Sequence, residues 1–116
     1  MKNVILFLMI LVPSISHASV VNCNNVYIKS VSVQGIRDDG FQFENELILT
    51  LIDANGQDVN CSGKQYIYLS NSDANYPAML SIAMAAKMSG KAVNISVNTS
   101  SSTSISNRLA IISLAP

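Results

Sequence analysis

The one histidine of the chain is His17, close to the first residue. Everything after it therefore lacks the parts for a Ser-His-Asp relay, an imidazole acid–base pair or a histidine-based metal site. Cys23 and Cys61 are the only cysteines, and if paired they leave no thiol nucleophile. Carboxylates and hydroxyls remain. Asp38 and Asp39 could be offered as a carboxylate pair for glycoside hydrolysis, but neighbours in a strand or turn diverge and no apolar pocket is evident to raise one pKa. A solvated turn is the better reading of that pair, and an exposed loop the better reading of the Ser/Thr run at 99–106. The expectation is a protein that is not an enzyme and needs no cofactor and no metal.

The first residues read as a secretory signal. Lys2 gives a positive start, residues 4–12 an apolar run, and Ser16-His17-Ala18 a small-x-small cleavage site, so residues 1–18 are expected to be removed and 19–116 to form one domain. The apolar run is far shorter than the roughly 20 residues that span a bilayer, which predicts a secreted or periplasmic protein with no integral membrane segment. In such an oxidising compartment Cys23 and Cys61 read as a disulfide. Seven Lys and Arg stand against seven Asp and Glu, with no basic stripe, which argues against a nucleic-acid partner. Asn94-Ile95-Ser96 and Asn98-Thr99-Ser100 match the glycosylation sequon, but the first falls in an expected strand.

The elements that must position these groups follow from periodicity. Residues 25–33, "NVYIKSVSV", are β-branched and alternate as a strand does. "GIRDDG" breaks the pattern with turn chemistry, and residues 41–53 resume it with Leu47, Leu49 and Leu51 on one face. Asn55-Gly56 is a hairpin signal. A third strand at 64–70 puts Tyr66 and Tyr68 on one face and Ile67 and Leu69 on the other. A helix over 77–88 begins at Pro77 and stops at Gly90, a residue suited to a left-handed C-cap. Strands at 91–98 and 108–115 complete the order β-β-β-α-β-β, which points to the OB-fold, a five-stranded partly open Greek-key barrel. A plain α+β sheet with one helix across it fits the same local pattern.

The helix has almost no polar side. Tyr76, Met79, Leu80 and Ala83 make a stripe that can pack on the sheet, which leaves Ala78, Ile82 and Ala85 uncovered. An uncovered apolar face marks an interaction site, and its small side chains permit close approach of a second copy. Self-association is therefore expected.

The stretch "MLSIAMAAKMSGKAVNISVNTSSSTSISNRLAIISLAP" resembles the C-terminal half of the B subunits of bacterial pentameric toxins, above all the Shiga toxin and subtilase cytotoxin types. The closing "RLAIISLAP" is similar to the end of cholera-type B subunits, and "DDGF" falls where Shiga-type B subunits carry an acidic turn followed by Phe. The resemblance implies an OB barrel, a pentameric ring lined by the helices, a catalytic A subunit as partner, and outer loops that hold a host glycan. It places ligand contacts at Asp38 and Asp39, while Gln42 stands where that family has a hydroxyl residue. Polar groups on the usual OB ligand loops give the candidate binding residues Arg37, Asp38, Asp39, Gln42, Ser101, Ser102 and Thr103. The alternative is a secreted or periplasmic OB-fold protein-interaction module with no sugar ligand.

Overall fold

A computed structural model describes residues 19–40 and 43–116. The expected signal peptide and the candidate residue Gln42 lie outside the described residues. The elements run β1 (Val20–Gln34), β2 (Glu46–Ile52), β3 (Asp58–Val59), β4 (Tyr66–Ser70), α1 (Tyr76–Ser89), β5 (Val93–Asn98), a 3-10 turn (Thr99–Ser101) and β6 (Ser106–Leu114). The protein is mainly β, with one mixed sheet of six strands in the order β1-β5-β6-β4-β2-β3. An extra β1–β2 pairing bends that sheet partly into a ring. All neighbours are antiparallel except β4 and β6, which run parallel over Tyr66↔Ser106 to Tyr68↔Arg108.

The sixth strand corrects the expected count of five. Asp53 shapes the Asn55-Gly56 turn, its carboxylate accepting the Asn55 and Gln57 N–H groups at 2.9 Å each. The returning chain then pairs Asp58 and Val59 with Ile52 and Leu51. The first strand is also longer than 25–33. Its early residues pair with β5, from Val20↔Asn98 to Val26↔Val93, and its later ones with β2, from Tyr27↔Ile52 to Gln34↔Glu46. Within the β5 set the register shifts at Cys23/Val26, where Asn25 takes φ 54 and its N–H donates to Asn94 Oδ1 at 2.9 Å. A second shift falls at Ile28/Ser30. Bulges of this kind bend a strand sharply, which lets one strand serve two partners.

The core is filled by alternate residues of the strands. Leu47, Leu49 and Leu51 of β2 point inward as expected, with Ile67 and Leu69 of β4, Val93, Ile95 and Val97 of β5, and Leu109 and Ile112 of β6. Asn107 is buried among them at 1% exposure, and its amide donates to Cys61 O at 3.0 Å. Removing that amide would leave the Cys61 carbonyl only the bond from the Lys64 N–H at 3.3 Å, at a cost of about 1 kcal/mol.

The helix lies against β1 and β6. Ala83 and Ala86 are fully buried, and Tyr76, Met79, Leu80 and Ile82 pack against the same cluster. Ile82 is thus not uncovered beside Ala78 and Ala85. One turn before Ala86, it falls on the packed side and is half-buried. The outward face holds Ala78, Ser81, Met84, Ala85 and Met88, with Met88 81% exposed. Even Ser81 offers little polarity, since its hydroxyl donates to Pro77 O at 2.9 Å. Asn75 stands at the N-cap position without a side-chain cap bond. Gly90, at φ 69, ends the helix as expected.

Cys23 and Cys61 are joined, with Cα atoms 6.0 Å apart and a sequence separation of 38. The bond ties the bulged part of β1 to the connection before β4. In the chain-entropy account a loop of that length contributes about 4 kcal/mol. The Cys23→Ala/Cys61→Ala double variant should lose stability of that order in urea unfolding, with the m-value rising little.

Candidate functional site

Three segments meet on the outer face of the sheet where β2 begins. The alternation of β4 places Tyr66, Tyr68 and Ser70 outward, while Ile67 and Leu69 enter the core. Tyr68 lies opposite Ile48 of β2 and Glu46 opposite Ser70, so Glu46 sits diagonally beside Tyr68. The chain reaches β2 through Phe43 (φ 78) and Asn45 (φ 57), both left-handed. For a bulky residue such as Phe that conformation costs on the order of 1 kcal/mol or more. The ring offsets it by packing on the tyrosines, at 5.9 Å from Tyr66 and 6.4 Å from Tyr68 between centroids. The third segment is the β5–β6 connection, fastened by a 2.7 Å bond from the Tyr68 hydroxyl to Ser101 O.

Together they enclose a cleft of about 330 Å³ lined by Phe43, Glu46, Tyr68 and Thr103. Glu46 is its chemical centre. Burial pushes its carboxyl above the ordinary value of 4.5, and no hydrogen-bond or ion-pair partner contacts its side chain among the described residues. The Tyr68 hydroxyl is pushed up by burial first and by the Glu46 charge second, with Arg108 acting against them. It stays a neutral phenol at physiological pH. Arg108 turns to Asp73, Nη2 to Oδ2 at 2.8 Å, and so leaves the carboxylate unmatched. Asp73 is held below its ordinary 3.8 by the Asn75 N–H and then by Arg108.

The candidate residues from sequence are divided by this geometry. Thr103 lines the cleft, but its hydroxyl oxygen accepts from the Ser106 N–H at 3.0 Å and the Ile105 N–H at 3.3 Å, and also bonds the Ser106 hydroxyl. It shapes the loop and turns little polarity toward a ligand. Ser101 supplies its carbonyl to Tyr68, and Ser102 is exposed beside it. Arg37 and Asp39 form an ion pair, with Arg37 Nε also donating to Asp39 Oδ1 at 3.0 Å and Nη1 to Gln34 Oε1 at 3.1 Å. Those groups build the β1–β2 loop, and they and the exposed Asp38 are not among the cleft's lining residues.

Sequence reasoning missed Phe43, Glu46 and Tyr68, which line the cleft, and Tyr66, which packs behind Phe43. Two tyrosines on the outward face of a strand were a readable signal, since large aromatic rings gain by burial and serve as stacking surfaces when left half-covered. Glu46 gave none, because its isolation depends on partners far away in sequence. Among the described residues no group of three or more His, Cys, Asp or Glu side chains could hold a metal ion. Nor is any helix there long and apolar enough to cross a membrane.

The pKa directions fix a pH profile. A carboxyl whose pKa is higher folded than unfolded takes up protons on folding, so stability falls as pH rises through the interval between the two values. Glu46 is such a group, with its interval opening at 4.5. Glu46→Gln should therefore melt higher than the parent at pH 7, the difference vanishing once the pH is well below 4.5. Asp73 has the opposite sign: its contribution is present above 3.8 and fades as pH falls through its lowered folded value. Thermal melts across pH 2–8 on the parent and both single amide variants check both signs. No family model matches the chain, and no curated protein matches it either.

Proposed function

We propose that the protein is a secreted, non-catalytic OB-fold module that holds a carbohydrate in the Glu46 cleft and assembles into a ring through its helix. The observation that carries the sugar reading is a half-buried carboxylate without a hydrogen-bond or ion-pair partner among the described residues, walled by aromatic rings. A carboxylate accepts two hydroxyls at once through its two oxygens, which suits a vicinal diol. Aromatic rings such as Phe43 and Tyr68, which line the cleft, suit the C–H face of a sugar ring. A partly desolvated group left unmatched in the free protein is what a ligand's donors would satisfy. The OB assignment draws support from the closing β1–β2 pairing, the parallel β4–β6 pair and the helix between β4 and β5.

The ring reading rests on the outward helix face and on the resemblance to toxin B subunits, which also brings in a catalytic A subunit and a host glycan. The same face favours a second reading, a protein-interaction module that covers Met84 and Met88 with a different protein and binds no sugar.

Glycan-array retention tests the sugar site. Glu46→Gln replaces charge-assisted bonds by neutral ones and should lower retention by roughly tenfold. Because that variant is expected to fold at least as stably as the parent, weak retention cannot be put down to unfolding. Unchanged retention, or none by the parent, would remove the sugar reading. For assembly, Ala85→Asp is the suitable change, since Ile82 packs on the core and its replacement would unfold the chain. Light scattering on a sizing column should give a discrete oligomer for the parent and a monomer for Ala85→Asp. A parent that runs as a monomer favours the second reading.

A further inference from the structure

A second cleft, of about 320 Å³, opens at the other end of β2. It lies where the β2–β3 turn faces the C-terminal end of the helix, a strand's length of roughly 20 Å from Glu46. Its chemistry is the reverse of the first. Ile28 and Ala86 form an almost fully buried apolar floor, and Tyr27 and Ile52 are half-buried walls. Lys87 and Lys91 stand on its rim, both exposed, and neither has an ion-pair partner among the described residues.

Two negative features lie nearby, and neither forms an ion pair with those lysines. Asp53, which also lines the cleft, directs its Oδ1 to the Asn55 and Gln57 N–H groups of its own turn. The helix C-terminus carries a partial negative charge that favours Lys87 in its last turn. Ala86 O accepts the Gly90 N–H, and the Lys91 N–H at 3.2 Å. Ala85 O accepts the Ser89 hydroxyl at 2.7 Å. Two ammonium groups without an ion-pair partner thus stand against one carboxylate around an apolar hollow at the small end of the range for ligand pockets, about 300–1,000 Å³.

We infer that this cleft binds a small organic anion with a flat or aliphatic apolar body, a carboxylate or sulfate ester, its body on Ile28 and Ala86 and its charge at Lys87 and Lys91. The inference does not depend on the sugar reading.

Benzoate and its uncharged analogue benzamide are the probes, with binding followed by saturation-transfer NMR of the probe on the purified protein in its native oligomeric state. Benzoate should bind with a dissociation constant on the order of 1 mM, and benzamide clearly more weakly. Lys87→Gln/Lys91→Gln should weaken benzoate by about fivefold or more, and Lys87→Arg/Lys91→Arg should keep it. Both changes are at exposed positions, so the fold stays intact. Equal binding of the two probes, benzoate binding unaffected by the Gln pair, or no transfer to benzoate at about 10 mM would each overturn the inference.

Discussion

One strand has to satisfy two partners, and the rest of the molecule is arranged around that demand. The first part of β1 hydrogen-bonds to β5 and the remainder to β2, which a straight strand cannot do. The chain solves this with two register shifts, and with Asn25 in a left-handed conformation that asparagine tolerates better than most residues. The Asn25 N–H, which such a bend takes out of the ladder, finds Asn94 Oδ1 on β5. The disulfide begins at Cys23, next to the first shift, and ends at Cys61, whose carbonyl takes the Asn107 amide of β6. Bend, covalent link and buried amide thus hold β1, the β3–β4 connection and β6 in one place. If the bend opened, the inner faces of five strands would lose their shared core at once.

Bending the sheet back on itself also decides where ligand chemistry can sit. The interior is taken up largely by leucine, isoleucine and valine, and the two clefts described above lie at the two ends of β2. At the start of β2, aromatic rings and a loop shield a carboxylate from water without giving it a cation. At the end of β2, Lys87 and Lys91 stand without an ion-pair partner beside an apolar hollow, two cations against the one carboxylate of Asp53. The two ends of a seven-residue strand are therefore electrostatically opposite. In a chain with equal numbers of acidic and basic residues, that opposition comes from which partners the fold denies to Glu46, Lys87 and Lys91.

Strands and helix were legible because their signals are local. Leu47, Leu49 and Leu51 alternate in sequence and in the core, and Pro77 and Gly90 bracket a helix that runs one residue further at each end than expected. The extent of β1 was not legible, because Asn24-Asn25 looks like the end of a strand and becomes a bulge only when β5 supplies a partner. The start of β2 was set too early for a related reason: left-handed Phe43 goes against the preference of a bulky residue, and what holds it is contact with Tyr66 and Tyr68 on another strand. Candidate site residues chosen for polarity, such as Arg37, Asp39 and Thr103, proved to be occupied in shaping loops. Polar groups close in sequence find one another first, so an unmatched group is one that long-range packing has isolated.

The outward face of the helix follows the same logic with apolar groups. Ala78 and Ala85 expose little area each, so they put only slight pressure on the chain to find a partner. The exposed area is concentrated at Met84 and Met88, the latter almost wholly in water. Unbranched and polarisable, methionine can mould itself to an uneven surface, whereas alanine admits a second backbone closely. A neighbour on this face would thus meet a close, shape-defined contact along the alanines and an adaptable one at the methionines. Ser81 and Ser89 impose no polar demand on that neighbour, since both hydroxyls are returned to the helix's own carbonyls. Covering the face consequently carries almost no desolvation cost, and the area of the two methionines sets most of what is gained.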